Sequence, residues 1–370
     1  MASRDFEVHH LLAAYRKGLI SDEFFLKQME ELCAGADASH AERADGQGGA
    51  ATAESRPVRP RAVTGDAGLD APGGIAMLAH KRAYDRAAED LGNIVALEHV
   101  NVTVASQEQA AIFYVNGLGL TRDPYMMTGP ANMWVNAGRQ QFHLPTSKLQ
   151  VLRGHVGVVV SDYGELPKRL ARVRDTLAGT RFGFFERDGY VETTCPWGNR
   201  IRCFAPGKRF GVMAVGIPYV EFDVPIGTAA GIARFYSEII CAQAALLEDA
   251  HGRFACIRAG AGQNLFFRET EKPIPAYDQH HIAVYINDFS GPHRKLTDRG
   301  LITQESDQHQ YRFQDLVDPD SGKLLFTIEH EVRSMRHPMY LRPLVNRNSS
   351  QSIMHYAPGE DARNWAMRSS

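Results

Sequence analysis

Apolar and polar residues alternate through Leu97-Glu98-His99-Val100-Asn101-Val102-Thr103-Val104, and again through Arg153-Gly154-His155-Val156-Gly157-Val158-Val159-Val160. This alternation predicts two half-buried strands, because successive side chains of a strand point to opposite faces. His99, Asn101 and Thr103 share one face, and Val100, Val102 and Val104 the other. In the second strand His155, Gly157 and Val159 oppose Val156, Val158 and Val160. The valine faces are expected to carry helices, and the mixed faces to line a cup. A helical segment Ala110-Ala111-Ile112-Phe113-Tyr114-Val115 follows the first strand, and short strands lead to Arg139-Gln140-Gln141-Phe142-His143-Leu144-Pro145. The second strand leads in the same way to Cys195-Pro196-Trp197-Gly198-Asn199-Arg200-Ile201-Arg202-Cys203-Phe204. Each is a βαβββ unit.

The same plan restarts after a connector at 207–216. Tyr219 to Val224 predicts a strand, Ile232 to Tyr236 a helix, and Gln263 to Arg268 a fourth strand. His280 to Ile286 opens a further unit, and the turn Asp318-Pro319-Asp320-Ser321-Gly322-Lys323 leads into a last strand, Leu324 to Val332. Internal repetition of this kind is a strong organisational signal.

The flanks read differently. Val8, Leu11, Leu12 and Tyr15 mark one helical stripe ended by Gly18. Ser21 is placed to cap a second helix carrying Phe24, Phe25, Met29 and Leu32. A hairpin of this size buries little alone, so it is expected to dock on the body, on a second copy or on a protein partner. Residues 34–74 are poor in large apolar side chains and predict a disordered linker. The expected domains are a helical hairpin at 1–33, the linker at 34–74, a first module with a leading helix at 75–206, a second module at 207–333 and an irregular tail at 334–370.

Composition adds limits. The chain has 370 residues, 44% hydrophobic and 23% charged, with a net charge of -2. This balance gives no electrostatic case for nucleic acid or an anionic membrane. No apolar run is long enough to cross a bilayer, and Met1 to Phe6 lacks the regions of a signal peptide. The five cysteines show no CxxC spacing, and the expectation is free thiols in a cytoplasmic protein.

The histidine-led first and fifth strands, the helix running into Gly117-Leu118-Gly119-Leu120 and the turn Pro196-Trp197-Gly198-Asn199 together resemble the vicinal oxygen chelate superfamily. Glyoxalase I, bleomycin-resistance proteins and extradiol dioxygenases belong to that group. The resemblance implies an α+β fold of two tandem glyoxalase-like modules, each a pair of βαβββ units around a cupped mixed sheet. It also implies a divalent metal, Fe2+, Zn2+ or Mn2+, held by side chains of the first, fourth, fifth and eighth strands of a module. Carried over by position, the first module offers His99, His143 and His155, with Arg202 where the pattern has glutamate. The second offers Tyr219 and His281, with Leu325 or Phe326 at the eighth-strand position; Glu329 and Glu331 reach the site only in another register.

Three readings of the first cup stand side by side. The histidines bind a metal and Arg202 takes an anionic group of the substrate, with Glu192 as acid–base partner. Alternatively the histidines and Arg202 form a metal-free pocket for a carboxylate or phosphate. Or the histidines are ordinary hydrogen-bonded residues. Tyr219 and Glu221 share a face with Asp223 and shape a second-module pocket with His281. The functional expectation is a metal-dependent dioxygenase or glyoxalase-like lyase or isomerase acting on a small oxygen-bearing molecule. The competing one is a non-catalytic ligand-sequestering protein of the bleomycin-resistance type.

Overall fold

The computed structural model of the chain describes residues 86–123, 131–342 and 344. The expected hairpin, the linker, most of the leading helix and most of the tail lie outside the described residues.

Four βαβββ units follow one another. The first holds β1 (Ile94–Asn101), β2 (Thr121–Arg122), β3 (Asn132–Ala137) and β4 (Gln140–Pro145). The second holds β5 (Gly154–Val159), β6 (Gly183–Arg187), β7 (Tyr190–Thr194) and β8 (Arg200–Phe204). The third runs through β9 (Gly216–Pro225), β10 (Ala244–Asp249), β11 (Gly252–Arg258) and β12 (Asn264–Thr270). The fourth runs through β13 (His281–Ile286), β14 (Ile302–Asp307), β15 (Gln310–Val317) and β16 (Leu324–Ser334). The helices after each first strand are α1 (Gln107–Ala110, continuing as a wider turn over Ala111–Gly117), α2 (Leu166–Arg172), α3 (Ala229–Phe235, continuing over Tyr236–Ile240) and α4 (Ser290–Thr297). Ser106 caps α1 by accepting the Gln109 amide on its hydroxyl.

The units pair out of sequence. One eight-stranded sheet runs β14-β15-β16-β13-β1-β4-β3-β2, the other β10-β11-β12-β9-β5-β8-β7-β6. The first unit therefore joins the fourth, and the second joins the third. This corrects the expectation of one module at 75–206 and another at 207–333. The physical reason is that alternation fixes which face a strand shows, while the free edge of any first strand can accept any other. β1 meets β13 antiparallel, and β5 meets β9 the same way.

Within the described residues the valine faces do carry the core. Val100, Val102, Val104, Val156, Val158 and Val160 are all buried in one apolar cluster with Phe113, Tyr114, Phe235 and Tyr236 of the helices. Gln263 ties the sheets together, donating its amide to the carbonyls of Leu97 and Ile217 and accepting from the Leu97 amide. Cys195, Cys203, Cys241 and Cys256 are free thiols. No helix of the described residues is long and apolar enough to cross a membrane.

Candidate metal centre

β1 and β13 run side by side at the middle of the first sheet, with β4 and β16 flanking them. Asn101 stands opposite His281 and next to His143 in register, while His99 stands opposite Ala283. The alternation that buries Val100 and Val102 thus turns His99, His143 and His281 into one cup. Each contributes a ligand atom, and these atoms lie within 4.8 Å of one another. Among the described residues this is the one group of three or more such side chains able to hold a metal ion.

Each imidazole is held by a neighbour. His99 Nδ1 is 2.5 Å from Glu98 Oε2, so it donates its proton to that carboxylate. A bulge lets two consecutive residues share a face: the β1–β13 register shifts between Leu97 and His99. Arg333 Nη1 clamps Glu98 at 2.9 Å. His143 stacks on Trp134 with ring centroids 3.8 Å apart, and its nitrogens are 2.9 Å from the Asn101 amide and from Asn132 Oδ1. His281 lies 3.5 Å from Glu329 Oε1 and 3.7 Å from Glu331 Oε2. Glu331 is paired with both Arg312 and Arg333.

The electrostatics keep His143 and His281 neutral and the carboxylates charged. Burial, reinforced by His99, pushes His143 down to about 3. Burial and His99 also carry His281 well below the usual histidine range. Burial opposes the charge on Glu98, yet Arg333 and His99 prevail and bring it to about 2. Glu331 is likewise lowered, Arg333 and His99 outweighing its desolvation.

These residues fit a metal ion. His99 Nε2 and His281 Nε2 are buried with no hydrogen-bond partner, which is costly unless another species completes them. Three imidazole nitrogens and an ionised carboxylate are the donors a first-row divalent ion takes. At His143 coordination would exchange one of its two amide contacts.

The other residues singled out in the sequence gather in the second sheet. His155 pairs through Nε2 with the Tyr219 hydroxyl at 3.1 Å and sits 3.8 Å from Glu221 through Nδ1. It therefore does not join His99 and His143; the fifth-strand histidine of the cluster is His281, because the first unit pairs with the fourth. Tyr219 and Glu221 share the His155 cup, and His281 does not, so the three do not form one pocket. Arg202 Nε donates to Glu192 Oε2 at 3.2 Å, in that second sheet, so neither residue faces the three-histidine cluster. At the end of β16, Glu329 is level with His281 and Glu331 with Ala283, in place of Leu325 or Phe326. Sequence reasoning passed over Glu98, Arg312 and Arg333. The adjacent Glu98-His99 pair was the available signal, but regular alternation assigns it to opposite faces.

No family model matches the chain, and no curated protein matches it. Among solved structures, a protein from Bacillus subtilis subsp. subtilis str. 168 is 17% identical, with 66% of this chain and 86% of that chain covered and a TM-score of 0.46. Glyoxalase I from Zea mays is 12% identical over 65% of this chain and 92% of its own, at a TM-score of 0.44. The 2,3-dioxygenase LapB from Pseudomonas sp. KL28 is 14% identical over 66% and 93%, at 0.26. The paired βαβββ units and cupped mixed sheets traced above make a tandem glyoxalase-like fold.

Proposed function

We propose that the chain is a metal-dependent enzyme of the vicinal oxygen chelate type. Its centre is formed by His99, His143, His281 and Glu331 between the first and fourth units, and it acts on a small oxygen-bearing molecule. The observation that carries this reading is the pair of buried, unpartnered Nε2 atoms on His99 and His281 beside an ionised carboxylate. A bound divalent ion supplies Lewis-acid polarisation of adjacent oxygen atoms. The chain's own groups do the rest. Glu98 holds the His99 proton on Nδ1 and leaves the Nε2 lone pair free. Trp134 fixes the plane of His143. Arg312 and Arg333 keep Glu331 charged in a buried place. In the rival reading, an anion trap at Arg202, the guanidinium already gives its Nε to Glu192 Oε2.

Metal analysis of protein purified without chelator tests the proposal. About one equivalent of iron, manganese or zinc is expected in the wild type and in His155→Ala, and none in His281→Ala. Equal metal in the two variants, or none in the wild type after reconstitution, rejects it.

A further inference from the structure

Where β1 and β4 begin, a cavity of about 670 Å³ opens beside the first sheet, a size that takes a small organic ligand. Glu98 and Tyr285 wall it from the sheet, Arg139 from the β3–β4 turn, Ala261 from the β11–β12 turn, and Tyr340 and Leu341 from the segment after β16. None of the three clustered histidines lines it. Glu98 stands between the two places, with its carboxylate on His99 Nδ1, the edge of the ring away from the unpartnered Nε2.

The wall has a definite chemistry. Two of its charges are already neutralised, Glu98 by Arg333 and Arg342 by Asp123, each at 2.9 Å. Arg139 is exposed at the β3–β4 turn. The turn that carries it is fixed, because Gly138 has φ +65° and a Cβ there would stand 2.0 Å from the Val215 carbonyl oxygen. The same cavity is lined by apolar surface: the rings of Tyr285 and Tyr340 meet edge to face at 4.8 Å, and Met339 and Leu341 also line it. One rim cation without a counter-charge among the described residues, in a cavity that two aromatic rings also line, selects an aromatic monoanion.

We propose that this cavity is a ligand site distinct from the metal centre, taking an aromatic monocarboxylate with its carboxylate on Arg139 and its ring against Tyr285 and Tyr340. The proposal does not depend on the metal reading. Titration calorimetry of the full chain with 2-naphthoate tests it. Saturable binding at one equivalent is expected, unchanged by chelator treatment and by Arg202→Ala. Arg139→Ala is expected to weaken it about tenfold or more, and Ala261→Trp, on an exposed turn, to block it with an unaltered melting curve. Absence of saturable binding in the wild type overturns the proposal. So does binding that survives both cavity substitutions, or that is lost with Arg202→Ala or on metal removal.

Discussion

Arg202 and Glu331 occupy the same position in two equivalent cups. Arg202 pairs in register with Gly157 of β5, and Glu331 with Ala283 of β13. By the same registers His155 matches His281, Tyr219 matches His99 and Phe266 matches His143. One cup thus keeps four donors. The other keeps a histidine and puts a phenol, a phenyl ring and a guanidinium in the remaining places, and a guanidinium cannot ligate a cation. Glu331→Gln is expected to lower affinity for zinc or manganese by more than about 100-fold, beyond what loss of an outer-shell partner costs. Arg312 keeps Glu329 and Arg333 keeps Glu98, so the fold should survive. Arg202→Gln should leave metal content unchanged. Metal titration followed by calorimetry distinguishes the two.

Glu98 acts through His99. With the carboxylate on Nδ1, His99 is locked as the tautomer whose Nε2 can accept a cation. Replacing Glu98 with leucine should weaken metal binding roughly 10- to 100-fold. Glu98→Gln, whose amide oxygen can still accept the proton, should recover much of it. In metal-free protein, nitrogen NMR should show His99 protonated on Nδ1 in the wild type and as a tautomer mixture in Glu98→Leu. A wild-type Nδ1 free of its proton contradicts the assignment.

The strands, their faces and the fourfold repeat were legible because alternation reports burial directly, and the valines of β1 and β5 show it. Which unit meets which was not legible. Every unit opens with a strand of similar pattern, so a sheet edge accepts several partners, and His155 and His281 both satisfied the fifth-strand place. Glu331 was hidden by register: β16 extends to Ser334, so its last residues and not its first reach the cup. Glu98 was hidden by a bulge, which no periodicity reveals. His99 and His143 could be picked from one unit because β1 and β4 are neighbours within it.

In the second cup Gly157 makes room for Tyr219. A Cβ at position 157 would stand 2.3 Å from Tyr219 Cε1, in a strand buried along its length. Gly157→Ala is expected to destabilise the protein by about 1–3 kcal/mol through overpacking. Adding Tyr219→Ala should recover part of that loss, since the two changes share one space. Urea unfolding of the single and double variants measures the coupling; strict additivity would show that the ring does not fill this position.

Acid should unfold the metal-free protein well before its carboxylates are neutralised. Burial, helped by His99, brings His143 to about 3; burial with Arg202 and Arg200 brings His155 to about 2; burial alone brings His330 to about 4. Each lies below the value near 6.5 of an unfolded histidine, so the native state holds them neutral while the unfolded chain takes up protons. The stability they contribute is complete above pH 6.5 and is lost progressively as pH falls toward the native values. Near pH 5 the unfolded chain binds almost three protons more than the native state from these groups, a slope on the order of 4 kcal/mol per pH unit at most. Below about 4.5 Glu98, lowered to about 2 by Arg333 and His99 against its own burial, adds a loss of the same sign. Urea midpoints of chelator-treated protein should be level from about pH 8 to 7 and drop steadily from about 6.5 to 5. A midpoint that stays level to pH 5 would mean that these imidazoles are already protonated or exposed in the native state. Such a result would remove His143 as a neutral nitrogen donor of the proposed metal centre.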